Sequence, residues 1–206
     1  MIFDIIQTAK ESYEATFQII RYENVRVGQM RVCGSLGSID GKWDIALQEH
    51  ILAMSPWKGR GSSSLQRPYA VMIDGAECGS IYHTREKHGF MNAFNYIEMR
   101  MWEETYKFYS LSFEEGGKCP IYVCGSQVAQ LNKSGIVYDD LHSYKAYALN
   151  DNAGLASVLF CAYMYVTGLF RPGEKIKHGY VKYGGRTKNQ YLLEKYDAGF
   201  ISKCSE

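Results

Sequence analysis

Hydrophobic and polar residues alternate with a period of two over most of the chain from Ala15 to Leu149. Successive side chains of a β-strand point to opposite faces, so this period is typical of half-buried strands. Glycines and polar pairs such as Asp74-Gly75 and Ser134-Gly135 interrupt the alternation and indicate turns. The pattern predicts ten strands: Thr16–Arg21, Val25–Val32, Trp43–Ile51, Tyr69–Asp74, Cys78–Thr84, Tyr96–Trp102, Tyr106–Phe113, Pro120–Cys124, Gln127–Lys133 and Tyr144–Leu149. Many short, evenly spaced strands favour a sandwich or a barrel.

The stretch from Ala153 to Phe170 has a different pattern, with 18 residues and no charge. Asn150, Asp151 and Asn152 precede it and are candidate N-caps, and Arg171-Pro172-Gly173 ends it. A helix that is apolar on all faces is either a membrane span or the buried axis of a protein core.

Both alternatives for this helix have support in the sequence. Its 18 residues reach about 27 Å as a helix, enough to span a bilayer, and the flanking charges follow the positive-inside rule. However, Gly154, Ser157 and Gly168 suit close packing, and the mid-span tyrosines Tyr163 and Tyr165 are uncommon in a membrane. A wide barrel also needs an apolar filler. We therefore predict a buried central helix.

These patterns predict a mainly β protein, a closed antiparallel β-barrel around a central hydrophobic helix with a short C-terminal helical extension. We expect one domain over residues 1–206, with the barrel and helix in 15–170 and the extension in 171–206. The N-terminal stretch Phe3–Tyr13 is either a short helix covering one end of the sheet or an irregular first strand.

The C-terminal extension has two parts. Glu174–Arg186 is basic and resembles a hairpin. The capping-box pattern Thr187-x-x-Gln190 then predicts a short helix through Tyr196. Three of its residues are expected to face inward: Tyr191, Leu192 and Tyr196.

Composition narrows the class of protein further. The chain has 206 residues, 46% of them hydrophobic, and a net charge of +1, so no global field draws it to nucleic acid or to an acidic membrane surface. The six cysteines are spread along the chain, and Met1–Lys10 lacks the pattern of a signal peptide. We therefore expect reduced thiols, a cytoplasmic location and no nucleic-acid partner. The oligomeric state is not predicted.

The run from Gln127 to Val166 consists of the strand VAQLNK, a turn, the strand SYKAYAL followed by Asn-Asp, and the apolar helix GLASVLFCAYMYV. This run resembles the tubby C-terminal-like superfamily, which includes the LURP-one-related proteins and the phospholipid scramblases. By pattern the resemblance extends over residues 15–170. It implies a twelve-stranded barrel that encloses a central helix.

The chain also departs from that superfamily. Residues 171–206 follow the helix, whereas the superfamily helix lies close to the end of its chain. The basic residues with which tubby proteins bind phosphoinositide headgroups have no matching positions here, and the scramblase calcium pattern is not present. The resemblance therefore implies a fold and a lipid-headgroup or protein-binding role, without residue-by-residue transfer of activity.

The sequence predicts no catalytic residue, metal or cofactor. Gly37–Lys42 lacks the glycine and the Ser or Thr that a phosphate loop needs, and no Cys-x-x-Cys or G-x-S-x-G pattern occurs. His83 and His88 flank Glu86, but the order matches no metalloprotease motif, so we interpret this segment as a solvated turn.

The loop from Trp57 to Arg67 is the main candidate for binding. Lys58, Arg60 and Arg67, with glycine-freed amides and serine hydroxyls, can cradle a phosphate, and Trp57 suits a membrane interface. Its alternative is a flexible solvated loop. The sequence thus favours a non-enzymatic barrel that binds anionic phospholipid or a protein partner. The alternatives are a small hydrolase or transferase with a site at the barrel mouth, and a protein anchored in a membrane by the apolar helix.

Overall fold

The computed structural model describes residues 1–11, 13–21, 25–33, 42–57, 68–88, 92–169, 178–182 and 185–204. They form two α-helices, α1 (Asp151–Met164) and α2 (Gln190–Lys195), and fifteen strands. The strands are β1 (Ile2–Lys10), β2 (Glu14–Arg21), β3 (Val25–Cys33), β4 (Lys42–Leu47), β5 (His50–Pro56), β6 (Tyr69–Ile73), β7 (Ala76–His88), β8 (Asn92–Met101), β9 (Glu104–Phe108), β10 (Leu111–Phe113), β11 (Gly116–Val123), β12 (Ser126–Ser134), β13 (Ile136–Tyr138), β14 (Ser143–Ala148) and β15 (Tyr180–Lys182).

Twelve antiparallel strands close into a barrel in the order β11-β12-β14-β1-β2-β3-β4-β5-β6-β7-β8-β9. The closing pair joins β9 to β11 through Ile121↔Phe108 and its two neighbours. Apolar side chains alternate inward along each strand, as Phe3 and Ile5 do on β1. The predicted fold class, a mainly β protein with a closed antiparallel barrel and a C-terminal helical extension, is therefore confirmed.

Helix α1 lies inside this barrel. Asn150 caps it, because its Oδ1 accepts a hydrogen bond of 2.8 Å from the backbone N–H of Ala153. Leu159 and Phe160 are fully buried, and the Phe160 ring stacks on Phe108 of the barrel wall at 5.0 Å between centroids. After Met164 the helix continues as one π-helical turn, 165–169. The buried-axis prediction is confirmed, and none of the helices among the described residues has the length and apolarity needed to cross a membrane.

The first strand corrects the expected start of the barrel. Residues 2–10 form β1, which pairs with β14 and β2, so the barrel begins at Ile2 and not at residue 15. The alternation is hidden in the sequence because Gln7 takes an inward position. It is almost fully buried, and its amide meets the Tyr165 hydroxyl at 3.0 Å.

Two predicted strands are each divided in the structure. Trp43–Ile51 comprises β4, a turn and the start of β5, because Gln48 adopts a left-handed conformation with φ of 54° at a turn that no glycine marks in the sequence. Tyr106–Phe113 comprises β9 and β10, which separate at Tyr109 and Ser110.

The C-terminal helix is present but is capped by a different residue. Asn189 Oδ1, and not Thr187, accepts the hydrogen bond from the backbone N–H of Leu192, at 3.2 Å. The helix ends at Lys195. Of Glu174–Arg186, the part that the structure describes includes β15, which pairs with β13 and so does not form a hairpin within that segment.

Candidate functional site

One end of the barrel, here called the mouth, surrounds the C-terminal end of α1. Strands β1 and β7 end at the mouth and β8 begins there, because neighbouring strands of the wall are antiparallel. The rings of Tyr69 and His83 contact Tyr163 of the helix at 5.6 and 5.3 Å between centroids. Tyr165, at the mouth, packs edge-on against Phe17 at 4.9 Å.

The wall of the barrel is incomplete at this mouth. β8 and β9 pair only from Ile97↔Phe108 to Met101↔Glu104, so residues 92–96 of β8 pair with β7 alone. Beyond Phe108 the chain diverges and forms β10, which pairs with β11. We call the opening between residues 92–96 and β10 the wall gap. It exists because the chain turns away from β8 at Tyr109.

The C-terminal segment covers the outer side of the wall gap. Its Thr187 binds the edge of β10 twice, donating its N–H to the Ser112 carbonyl at 2.9 Å and accepting the Ser112 N–H on Oγ1 at 2.8 Å. Tyr191 stacks on Phe94 at 5.6 Å between centroids. An aromatic and aliphatic cluster fills the contact: Phe94, Tyr96, Tyr109, Leu111, Phe113, Tyr122, Tyr191, Leu192 and Tyr196.

Tyr109 lies at the centre of this outer cluster. The Lys195 ammonium lies 4.8 Å from the centre of the Tyr109 ring and 4.5 Å from that of Tyr122. Burial raises the pKa of both phenols and lowers the pKa of Lys195, while the nearby Glu86 carboxylate opposes the shift at Lys195. Lys107 and Lys118 lie in the same way over the rings of Tyr96 and Phe113, so the cluster is an apolar seal with three ammonium groups against its aromatic faces.

A cavity of about 230 Å³ lies in the wall gap, between β8 and the end of the helix. Its described lining consists of His83, Asn95, Tyr96, Ile97, Phe108, Ser110, Met164 and Thr167. Ile97 and Phe108 are buried, whereas Asn95 and Ser110 are exposed. The cavity thus has an apolar floor and a polar rim.

His83 and Thr167 form the polar part of the cavity wall between floor and rim. The Thr167 hydroxyl donates to the Tyr163 carbonyl at 2.7 Å, so it can only accept from His83 Nε2, which lies 3.4 Å away. The contact with His83 is long, and the tautomer of the ring determines which nitrogen carries the proton. The hydroxyl proton of Thr167 is used within the helix.

The opposite side of the mouth is tightly packed. Gln7 and His142 exchange two hydrogen bonds of 2.9 Å through the backbone of His142, and the His142 ring packs against Tyr165 at 5.9 Å between centroids. Burial lowers the pKa of His142 to about 4, and the positive charges of Lys133 and Lys10 add to that shift, while Asp140 opposes it. His142 is therefore neutral at physiological pH.

A buried carboxylate lies on the outer face of the wall, away from the cavity. Burial would raise the pKa of Glu98, but hydrogen bonds from Tyr82, Arg100 and Tyr96 outweigh it and lower the pKa. Burial and the bond to Glu98 raise the pKa of Tyr82 to about 12. Since Ile97 and Met99 point into the barrel, Glu98 points outward and braces β7 against β8.

The predicted binding loop is only partly within the described residues. The Trp57 side chain is exposed, with 43% of the residue accessible, and the Trp57 backbone N–H donates to the Pro68 carbonyl at 2.9 Å. Lys58, Arg60 and Arg67 lie outside the described residues. The loop leaves the barrel at the mouth, because Tyr69 follows it directly and contacts the helix there.

The cavity residues were missed by the sequence analysis. His83 was interpreted as part of a solvated turn, yet it follows Ile81 at a spacing of two and so shares the inward face of β7. That alternation was the available signal. Asn95 precedes Ile97 by two and carries the same signal, but it lies outside the predicted strand Tyr96–Trp102. Ser110 and Thr167 carry no such signal, because only the closed barrel brings them to the gap. Among the residues that the structure describes, no group of three or more His, Cys, Asp or Glu side chains could hold a metal ion.

Comparisons with known proteins add no further constraint on this site. No family model, curated protein or solved structure matches the chain.

Proposed function

We propose that this protein is a non-enzymatic binding module and that its ligand site is the cavity in the wall gap. The observation that carries the proposal is the arrangement of the lining, with the apolar Ile97 and Phe108 at depth and the polar Asn95 and Ser110 at the rim. Small-molecule sites are typically concave and mostly apolar, with a few polar groups that fix orientation.

The position of the cavity supports the same role. Strand β8, strand β9 and helix α1 contribute its floor, so the groups that would contact a ligand are held by regular structure. The outer cluster around Tyr109 closes the gap from the other side. A ligand would therefore enter a preformed site.

The hydrolase or transferase alternative has less support. A nucleophilic hydroxyl must donate its proton to a base, whereas Thr167 donates to the Tyr163 carbonyl. The described lining contains one imidazole, that of His83, and no carboxylate.

We also propose membership of the tubby-like superfamily, and with it a lipid-headgroup or protein-binding role. A twelve-stranded barrel around an apolar helix is the arrangement that the resemblance implies. The loop at Trp57 remains the candidate for anionic headgroups.

The proposed ligand site is tested with a variant whose larger side chain fills the cavity. Ile97→Phe adds volume at the floor, and Ile51→Phe makes the same change at an exposed position on β5 as a matched control. In a fragment screen by ligand-observed NMR, we expect compounds that bind the wild type and the control but not Ile97→Phe. If no compound binds the wild type, or if the Ile97→Phe variant binds equally well, the proposed site is wrong.

A further inference from the structure

We infer that the ligand of the wall-gap cavity is a compact aromatic of two fused rings with one uncharged hydrogen-bonding group, such as a naphthol or an indole. This inference rests on the proposed function and names the ligand class of the same site. It is argued from the size, the depth profile and the charge of the cavity.

The volume of the cavity determines how many rings the ligand has. A protein cavity of about 150 Å³ lined by aliphatic and aromatic side chains accommodates benzene. The cavity here has about 230 Å³, roughly half as much again, which is the increment that a second fused ring requires. A long acyl chain would leave most of its length outside.

The walls favour a ring system over a flexible chain. The cavity is lined by the Phe108 ring and the His83 imidazole, and by Met164 from the helix. Aromatic pairs are stabilised beyond the area that they bury, and a thioether also contacts aromatic rings favourably. A rigid bicyclic ligand loses less conformational entropy on entry than a chain with several rotatable bonds.

The rim sets the polar group and its charge. Asn95 and Ser110 are exposed where the cavity opens, and both carry groups that can donate or accept a hydrogen bond. The described lining contains no lysine or arginine, and Arg85, which lies opposite Asn95 on β7, is exposed outside it. A ligand would therefore place its rings inward and a neutral hydroxyl or ring N–H at the rim, where the Asn95 and Ser110 side chains can each donate to it or accept from it.

Three probes that differ in charge and rigidity separate these features, and their binding is measured by calorimetry and by protein-observed NMR. The probes are 2-naphthol, the anionic 2-naphthoate and the flexible neutral 1-octanol. We expect 2-naphthol to bind, and each of the other two to bind at least about tenfold more weakly. Chemical-shift changes should centre on Ile97, Phe108 and Met164.

Variants test the rim and the site separately. Asn95→Ala should weaken 2-naphthol binding about fivefold, the value of one hydrogen bond, and Ile97→Phe should abolish it. Asn152→Ala, at an exposed position at the other end of the barrel, serves as the matched control and should leave binding unchanged.

The outcomes distinguish the two proposals. If octanol or naphthoate binds more tightly than 2-naphthol and Ile97→Phe abolishes that binding, the site stands and the bicyclic ligand class is wrong. If Asn95→Ala leaves 2-naphthol binding unchanged, the role of the rim is overturned. Should no probe bind and the wider fragment screen also fail, the proposed function itself falls.

Discussion

Similar polar residues have different roles on the two sides of the barrel mouth. On one side Gln7 and His142 are hydrogen-bonded to each other, and both contact Tyr165 of the helix. On the other side His83 and Thr167 also link wall and helix, but a cavity lies next to them.

The difference follows from strand pairing. Next to Gln7, the pairing of β1 with β14 ends at Ile6↔Ser143 and the pairing with β2 has a bulge, but the backbone of His142 continues the hydrogen bonding to Gln7 across the wall. Next to His83, β8 loses its partner beyond Ile97, and side chains no longer meet across the gap. Polar residues at a helix end therefore stabilise a core where hydrogen bonds continue across the wall and line a site where they do not.

The largest expected effect comes from a charge on the helix that both sides share. Leu159→Asp places an unpaired carboxylate in a fully buried position and should leave insoluble or unfolded protein, because its desolvation costs several kcal/mol. Solubility and circular dichroism measure this. The matched control is Leu149→Asp, at a half-exposed position just before the helix. A Leu159→Asp variant with unchanged thermal stability would contradict the central-axis structure.

The free energy of unfolding should depend on pH because of His142, on the packed side of the mouth. Its folded pKa, about 4, lies below the ordinary value of 6.5, so the unfolded state binds a proton first as the pH falls. The free energy of unfolding should therefore be highest above about pH 6.5, fall by up to about 3 kcal/mol between pH 6.5 and 4, and level off below. In His142→Gln, urea titrations should no longer show this component.

His50 provides a control of opposite sign. Its exposed imidazole is hydrogen-bonded to Asp74, which raises its pKa. Its small contribution is present at low pH and is lost as the pH rises through the folded pKa. If His142→Gln and the wild type lose stability in parallel from pH 6.5 to 4, His142 is not the buried neutral group.

The open side should depend on the C-terminal seal. Leu192→Ala removes a buried side chain from the outer cluster and should lower the free energy of unfolding by about 2 kcal/mol. It should also increase hydrogen exchange at Ser112, whose N–H is bonded to Thr187. Exchange at His142, on the packed side, should not change. Equal changes at both residues would show that the two sides unfold together.

The smallest effect on the fold concerns the loop that leaves the mouth at Trp57. Changing Lys58, Arg60 and Arg67 together to Ala should leave thermal stability unchanged while weakening the binding of anionic vesicles at low salt. The reason is that attraction between exposed charges is screened within a Debye length. Vesicle sedimentation at low and high salt measures it. Binding that ignores both the triple change and the salt would favour the solvated-loop interpretation.

The sequence by itself determined the class of fold and its axis. Period-two alternation specifies which face of each strand is buried, as with Phe17 and Ile19 on β2, and the uncharged run after Asn150 specifies a helix that must be enclosed. These are local properties of the chain. They are readable without knowledge of which strands become neighbours.

Only the tertiary structure decided where the barrel wall would be open. The break after Phe108 looks like continuous alternation in sequence, since β9 and β10 both pair with β11 and differ in that β9 also pairs with β8. Likewise Gln7 looks like an interruption until Tyr165 and the His142 backbone, more than 130 positions away, supply its hydrogen-bond partners. Pairing and burial of polar groups depend on residues distant in the chain, so the candidate site is a property of the closed barrel.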